Sequence, residues 1–203
     1  AGSSWINGQN DNTTGFGAWS LSTVGSSAGF FTGSSDINNG GSSSWGMYAS
    51  GGTNVASAVR PVSMSVGNTL SFSMDNGFID NGKVIGFGLQ NNSGQNLMEL
   101  LFIGGQSNYS INDNVLGFSS TIGYTSGGMN VSLTYTGANT YSITITTKAG
   151  ATATFTGRTF STQAGGQRPT QIRFFNAGSG SGSNYDMFFN SLAISNPVIT
   201  AQP

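Results

Sequence analysis

Apolar and polar residues alternate with a period of two along much of the chain. The clearest stretch is Met129-Asn-Val-Ser-Leu-Thr-Tyr135, which a turn at 136–139 connects to a second alternating run at 141–147 and then to a third at 152–156. This period places successive side chains on opposite faces of a β-strand, and threonine suits a half-exposed sheet surface. The pattern therefore predicts a three-stranded antiparallel meander with one face in solvent.

Short apolar runs separated by Gly, Asn and Ser clusters predict further strands. Leu97–Ile103 is apolar on both faces and is expected to be a central, covered strand. Asp75-Asn-Gly77 and Asp80-Asn-Gly82 are typical of tight turns, and the first is expected to end the strand that precedes it. The other predicted strands cover 16–24, 29–32, 45–49, 55–62, 70–74, 83–89, 171–175 and 185–194.

No window has the apolar spacing of an amphipathic helix, and no repeat is visible. We therefore predict an all-β fold, an antiparallel β-sandwich in which residues 1–195 form a single domain. Residues 196–203 are interpreted as a C-terminal linker or tail, and both ends of the chain fit trimming from a larger secreted protein.

Charge is scarce, since Asp, Glu, Lys and Arg make up 6% of the 203 residues, against roughly 25% in an average globular domain. The formal net charge of −1 and the 14 Phe, 6 Tyr and 3 Trp residues are unlike those of a disordered chain. Six scattered Lys and Arg residues argue against nucleic-acid binding, which depends on neutralising phosphates. No segment is long and apolar enough for membrane insertion. Any partner must therefore be held by aromatic rings and uncharged polar groups.

The absence of His and Cys from the sequence excludes Ser-His-Asp and Cys-His catalysis and the usual zinc sites. A glycoside hydrolase would need only two carboxylates across the scissile bond. Most of the available acids lie in or beside Gly/Asn turns, where Asp serves turn geometry. The acids are Asp11, Asp36, Asp75, Asp80, Glu99, Asp113 and Asp186. We therefore expect a protein that is not an enzyme.

The order of several segments resembles the concanavalin A-like or laminin-G-like jelly roll from about residue 45 to residue 194. The resemblance depends on Val59-Arg-Pro-Val62, Ile85-Gly-Phe-Gly-Leu-Gln-Asn91, the meander and the closing strand Asn184–Ile194. It implies a jelly-roll sandwich of the kind found in lectins, carbohydrate-binding modules, glycosidases, polysaccharide lyases and adhesins. The clustered E-x-D-x-x-E acids of the glucanases with this fold are absent here. The resemblance also implies one structural Ca²⁺, with Asp11, Asp36 and Asp186 as candidate metal ligands, although Asx turns explain these residues equally well.

Flat aromatic faces bind the C–H patches of neutral glycans, while amides and carboxylates bind their hydroxyl groups. Trp45 is expected to be partly exposed, and Tyr48, three residues on, is expected to face the opposite side of its strand. The polar segment 106–113 is expected to bind hydroxyl groups. The candidate ligand-binding residues are Trp45, Tyr48, Gln90, Asn91, Glu99, Asn108, Tyr109 and Arg173. Trp5, Trp19 and Tyr124 are further candidate platforms, and the alternative for each Trp is a place in the core.

Two charged residues lie within apolar runs, and their role has two interpretations. Glu99 and Arg173 either form a buried ion pair or grip sugar hydroxyls on a ligand face. Arg60 and Asp186 are a second candidate pair.

These observations predict a non-catalytic polysaccharide-binding domain of a secreted, bacterial, extracellular protein. The first alternative is a structural or adhesive subunit of a filament or matrix that self-associates, and the less favoured one is a carboxylate-pair glycoside hydrolase. The expected partners are a glycan, other domains of a larger secreted protein, or copies of the chain itself.

Overall fold

The computed structural model describes residues 5–37, 43–162 and 168–196 of the chain. Within them lie fourteen strands and a turn of 3₁₀ helix at Ser183–Tyr185. The strands are β1 Ser20–Val24, β2 Ala28–Gly33, β3 Ser44–Ala49, β4 Val55–Pro61, β5 Thr69–Asn76, β6 Val84–Gln90, β7 Asn96–Ile103, β8 Asn108–Asn112, β9 Phe118–Gly123, β10 Met129–Gly137, β11 Thr140–Thr147, β12 Thr152–Thr159, β13 Gln171–Ala177 and β14 Met187–Ser195. None of the described segments is a helix able to cross a membrane.

Two seven-stranded antiparallel sheets face each other. The first has the order β1-β4-β13-β6-β7-β8-β9, and the second has the order β12-β11-β10-β5-β14-β3-β2. The predicted meander is present as β10, β11 and β12, in which Val131 pairs with Ile145 and Ile145 with Ala153. The sequence prediction of an all-β sandwich is confirmed.

The core between the sheets is rich in aromatic rings. Phe72 of the second sheet meets Phe87 of the first at a centroid distance of 4.5 Å, and Phe174 stacks on Phe189 at 3.8 Å. Full burial of each such side chain contributes roughly 1.5–3 kcal/mol. The alternating inward positions of the strands therefore hold the two sheets together.

All three tryptophans lie in one aromatic cluster. Trp5 and Trp19 are buried and meet edge to face at 5.2 Å, while half-buried Trp45 packs against Trp19 at 5.3 Å and against Phe189 at 5.5 Å. The cluster packs the N-terminal segment against the sandwich. Trp5 and Trp19 therefore follow the core alternative, whereas Trp45 packs against the cluster but stays half-buried, in line with the partial exposure expected of it.

Arg60 holds the same N-terminal segment in place. Its buried guanidinium forms an ion pair with Asp11, donates from Nε to the Gly17 carbonyl at 2.6 Å, and lies 5.0 Å from the ring centres of Phe16 and Trp19. A buried charge needs such partners. The predicted pair of Arg60 with Asp186 is therefore wrong, because the partner is Asp11.

One predicted turn is absent. The strand expected to end at residue 74 continues through Asn76, and β6, which follows it, belongs to the other sheet. Asn76 pairs with Met187 and accepts a hydrogen bond from the Tyr109 hydroxyl, so tertiary contacts override the local turn preference. The second turn is confirmed, since the Lys83 amide donates to the Asp80 carbonyl at 2.9 Å and Gly82 has φ of 72°.

Candidate functional site

An aromatic platform, formed by Phe31 and Tyr48, covers one edge of the outer face of the second sheet. Phe31 of β2 pairs with Gly46 of β3, and Tyr48 of β3 pairs with Gly29 of β2. A Cβ atom at Gly46 would lie 2.6 Å from the Phe31 ring, and one at Gly29 would lie 2.7 Å from the Tyr48 hydroxyl. Each ring therefore lies across a glycine of the neighbouring strand, where any larger residue would displace it.

The platform is supported from one side and open on the other. Phe188 of β14 meets Phe31 edge to face at 5.5 Å, while the centroids of Phe31 and Tyr48 are 6.5 Å apart. Tyr48 is 39% exposed, and Phe31 is half-buried. The supporting contact fixes the Phe31 ring without covering the outer surface of the platform.

A depression of about 460 Å³ adjoins these rings. Its polar lining comes from the hydroxyls of Ser50 and Ser183 and from the carboxyl group of Asp186. Burial raises the pKa of Asp186 to about 6. Apolar ring faces therefore lie beside a carboxyl group and two hydroxyls, which is a chemically suitable surface for a sugar.

A polar ladder, formed by Gln171, Gln90, Asn96 and Glu99, crosses three strands of the first sheet. Gln171 donates to Gln90 at 3.1 Å, Gln90 to Asn96 at 2.7 Å, and Asn96 to Glu99 at 2.7 Å. Burial raises the pKa of Glu99, while a hydrogen bond with Asn112 opposes that shift. Most hydrogen-bonding groups of the ladder are therefore engaged with one another.

Glu99 and Arg173 lie on the same face, separated by Gly88 in the strand register. Arg173 donates from Nε to the Ser57 hydroxyl at 2.9 Å and lies 4.5 Å from the centre of the Phe175 ring. Burial lowers the pKa of Arg173, and the charge of Glu99 opposes that shift. The ion pairs among the described residues are those of Asp11 and Asp113, so Glu99 and Arg173 share a face without forming the predicted buried pair.

A depression of about 320 Å³ lies beside Glu99. Asp113 also lines it, but both oxygens of that carboxylate accept from Arg158, at 2.7 and 2.9 Å, and one accepts from the Tyr141 hydroxyl at 2.6 Å. Asp113 is thus occupied by structural partners. Glu99 is the only one of these two carboxylates that is available to a ligand.

The predicted site residues are distributed over several environments. Tyr48 lies on the platform, whereas Trp45 points from the opposite face of β3 into the aromatic cluster. Gln90 belongs to the polar ladder, and Asn108 donates to the Ser119 hydroxyl at 3.2 Å on the outer side of β8.

Two predicted hydroxyl-binding residues are buried. Tyr109 is fully buried with its hydroxyl bonded to Asn76, so its proposed surface role is wrong. Asn91 is also fully buried, and its Oδ1 accepts from the amides of Ser93 and Gln95 in a turn. Phe31 was not predicted as a site residue. Gly46 and Gly29, which lie opposite Phe31 and Tyr48 in the strand pair, are the feature of the sequence that could have indicated it.

The three predicted metal ligands do not meet. Asp11 pairs with Arg60, the amide of Asp36 bonds to Asp75, and Asp186 borders the platform. The described residues contain no group of three or more Asp, Glu, His or Cys side chains placed to hold a metal ion.

Comparison with known proteins relates the chain to others through its fold. No family model matches the sequence, and no curated protein matches it. The cellulose-induced protein Cip1 superimposes with a TM-score of 0.56 and 12% identity over 87% of this chain and 90% of that one. Lectin I-B4 from Griffonia simplicifolia superimposes with a TM-score of 0.51 and 11% identity, over 95% of this chain and 97% of the lectin. A protein of unknown function from Shewanella oneidensis superimposes with a TM-score of 0.50 and 12% identity, over 91% of this chain and 82% of that one.

At these identities the likeness concerns architecture. Together with the two antiparallel seven-stranded sheets and their crossovers, it shows that this chain has the concanavalin A-like jelly-roll fold.

Proposed function

We propose that the chain is a non-catalytic carbohydrate-binding domain that holds a neutral polysaccharide on the aromatic platform. The supporting observation is that Phe31 and Tyr48 lie across glycines with their outer surface open, next to the carboxyl group of Asp186. The C–H faces of a sugar would contact the rings, and its hydroxyl groups would bond to Asp186 and the neighbouring serines.

The charge distribution favours a neutral ligand. The formal net charge is −1, and the charged group at the platform is the carboxyl of Asp186. An acidic polysaccharide would be repelled by that group. Because the binding contacts are mostly uncharged, the affinity should change little between low and moderate salt.

The arrangement of acids supports binding without hydrolysis. A glycosidase needs two carboxyl groups facing each other across the bond that is cut. The platform depression contains Asp186, and the depression beside Glu99 pairs it with an Asp113 already held by Arg158. Neither depression presents two available carboxylates.

Proteins of the same fold support a carbohydrate ligand, since they include a lectin and a cellulose-induced protein. We also propose that the chain belongs to a secreted, extracellular, bacterial protein, because its composition is poor in charge, with 6% Asp, Glu, Lys and Arg.

Calorimetry with neutral and acidic polysaccharides tests the proposal. We expect the wild type to bind a neutral polymer, and Tyr48→Ala or Phe31→Ala to weaken binding by about tenfold or more, because each removes an aromatic contact worth roughly 1.5 kcal/mol. Tyr124→Ala is the matched control, since this tyrosine is 36% exposed but packs on Phe102 away from the platform.

Two results would contradict the proposal. One is a folded wild type that binds none of the polysaccharides. The other is a Tyr124→Ala variant that loses as much affinity as Tyr48→Ala, which would place the ligand elsewhere.

A further inference from the structure

The edge strand β12 carries no free charge. Its one charged residue is Arg158, and the first sheet holds that guanidinium. Arg158 donates to both oxygens of Asp113, at 2.7 and 2.9 Å, and lies 4.0 Å from the centre of the Phe118 ring. Proteins usually protect an edge strand with a charged side chain, because its unpaired main-chain groups can otherwise pair with another chain. β12 lacks this protection.

The main chain of β12 is unpaired along its outer edge. β12 is the last strand of its sheet, and its ladder with β11 starts where the Thr147 amide donates to the Ala151 carbonyl at 2.8 Å. Hydrogen-bonded pairs alternate along an antiparallel ladder, so Ala153 bonds to β11, whereas Thr152 and Thr154 direct their N–H and C=O groups away from it. Within the described part of the chain, no residue bonds to these outward groups.

Among the described strands, the other three sheet edges differ from β12. The free edge of β1 is covered by the N-terminal segment, since the Leu21 amide donates to the Asn7 side chain at 2.9 Å. β9 is interrupted by Thr121, which has φ of 59°. β2 contains Gly29 and Gly33, which leave few side chains to pair with another strand. β12 is therefore the edge best suited to strand pairing.

The side chains of β12 fit a second copy of the same strand. Exposed Thr152, Thr154 and Thr156 alternate with half-buried Ala153 and Phe155. An antiparallel pairing centred on Thr154 places each threonine opposite a threonine, and the small Ala153 opposite the large Phe155. Cross-strand threonine pairs stabilise antiparallel sheets through hydrogen bonds between their hydroxyls.

Threonine pairs of this kind already link the strands of the second sheet. The hydroxyls of Thr69 and Thr134 lie 2.8 Å apart, and those of Thr144 and Thr154 lie 3.0 Å apart. A hydroxyl has one donor and two acceptor sites, so Thr154 keeps capacity for a further hydrogen bond across the edge. A second copy would continue the pattern beyond β12.

We propose that two copies of the chain pair antiparallel through β12 and form a dimer in which the two seven-stranded sheets join into one of fourteen strands. The two-fold axis passes between the two Thr154 residues, so both copies use the same surface, as in most soluble homodimers. The strand contact is confined to residues 152–156. The buried area is therefore at the low end of specific interfaces, below about 1,200 Å², and the dimer dissociates on dilution.

The dimer would present two aromatic platforms on one side. The axis is perpendicular to the sheet, so the outer faces of both copies point the same way. With β3 five strands from β12 and strands about 4.8 Å apart, the platforms are separated by about 50 Å along the sheet. This consequence rests on the proposed function: one long polysaccharide chain would be held at two points, which raises its affinity by about 10²–10⁴.

Sedimentation analysis without any glycan tests the dimer. From about 1 µM to about 1 mM, a range that spans moderate to weak association, the wild-type mass should rise from one chain to two. Thr154→Lys and Thr154→Asp each place like charges opposite one another at the axis, and each should stay monomeric. An equimolar mixture of the two variants should dimerise again, because opposite charges then meet.

Thr144→Lys is the matched control, since Thr144 lies opposite Thr154 on the same face but one strand in from the edge; it should dimerise like the wild type. The proposal is overturned if the wild type stays monomeric at about 1 mM, or if Thr154→Lys dimerises as well as the wild type. It is also overturned if the mixture of the Lys and Asp variants stays monomeric.

Binding measurements separate the dimer from the proposed function. At concentrations where the wild type is dimeric, Thr154→Lys should bind a long neutral polysaccharide about 10²-fold or more weakly than the wild type and a short oligosaccharide equally well. A wild type that dimerises but binds no polysaccharide would contradict the proposed function and leave the dimer standing.

Discussion

The outer faces of the two sheets both place glycines opposite large side chains, with different results. In the second sheet Gly46 and Gly29 face Phe31 and Tyr48, whose rings cover them. In the first sheet Gly88 lies between Arg173 and Glu99, whose polar groups bond to neighbours on the same face. Ring faces need no hydrogen-bond partner and stay open, while polar groups that satisfy one another are less available to a ligand.

The largest expected loss follows from removing the space beneath a platform ring. Gly46→Ala would place a methyl group 2.6 Å from the Phe31 ring. Overpacking of this kind typically costs about 1–3 kcal/mol of folding stability. We expect a lower denaturation midpoint and at least a tenfold loss of polysaccharide affinity, a factor that corresponds to about 1.4 kcal/mol.

Gly88→Ala is the matched control in the first sheet. Its methyl group would come no closer than 3.3 Å to a neighbour, the Asn96 side-chain oxygen. The affinity for the polysaccharide should stay within about twofold of the wild type, because Gly88 lies outside the platform. A tenfold loss of affinity would correspond to about 1.4 kcal/mol. If the two variants bind equally well, the covered glycines do not shape the ligand surface.

A smaller effect is expected from the carboxyl group beside the platform. Partial burial raises the pKa of the Asp186 carboxyl group from its ordinary range to about 6. The folded protein therefore holds this proton more tightly than the unfolded chain, so folding stability falls as pH rises from about 4 to 6 and is level above that.

Asp186→Asn should remove that pH-dependent loss and make the protein more stable than the wild type at pH 7, as thermal unfolding across pH would reveal. It should also weaken neutral-glycan binding about three- to tenfold at pH 7, because a charged hydrogen-bond acceptor is lost. An affinity that is unchanged by the substitution at pH 7 would remove Asp186 from the binding site.

The smallest effect is expected on the first sheet. Glu99→Gln keeps the size of a side chain that accepts from Asn96 at 2.7 Å. We expect binding to remain within about twofold of the wild type when measured by calorimetry, well below the 1.4 kcal/mol of a tenfold change. A larger loss would move the ligand from the platform to the polar ladder.

The local alternation of apolar and polar residues was sufficient to predict the regular strands. The meander at 129–156 was predicted because alternation over adjacent strands is a property of neighbouring residues. In contrast, β9 was missed, since Phe118–Gly123 is rich in Ser, Thr and Gly and has little apolar contrast. The turn expected at 75–77 failed because Asn76 is engaged by Tyr109 and β14.

The partners of charged residues depended on contacts that no local pattern records. Arg60 meets Asp11, 49 residues away in the chain, and not Asp186. Tyr48 was correctly assigned to the face opposite Trp45, because side chains on a strand alternate, but its aromatic neighbour Phe31 comes from another strand.

The sequence by itself determined the class of the protein. Its alternating strands, scarce charge and lack of His and Cys indicated an all-β sandwich suited to uncharged ligands, since these properties depend on composition and on neighbouring residues. Only the tertiary structure decided which aromatic rings stay open and which carboxylates are held by arginine. Those outcomes depend on strand register and on packing between distant segments, where a shift of one residue would send each side chain to the other face of its sheet.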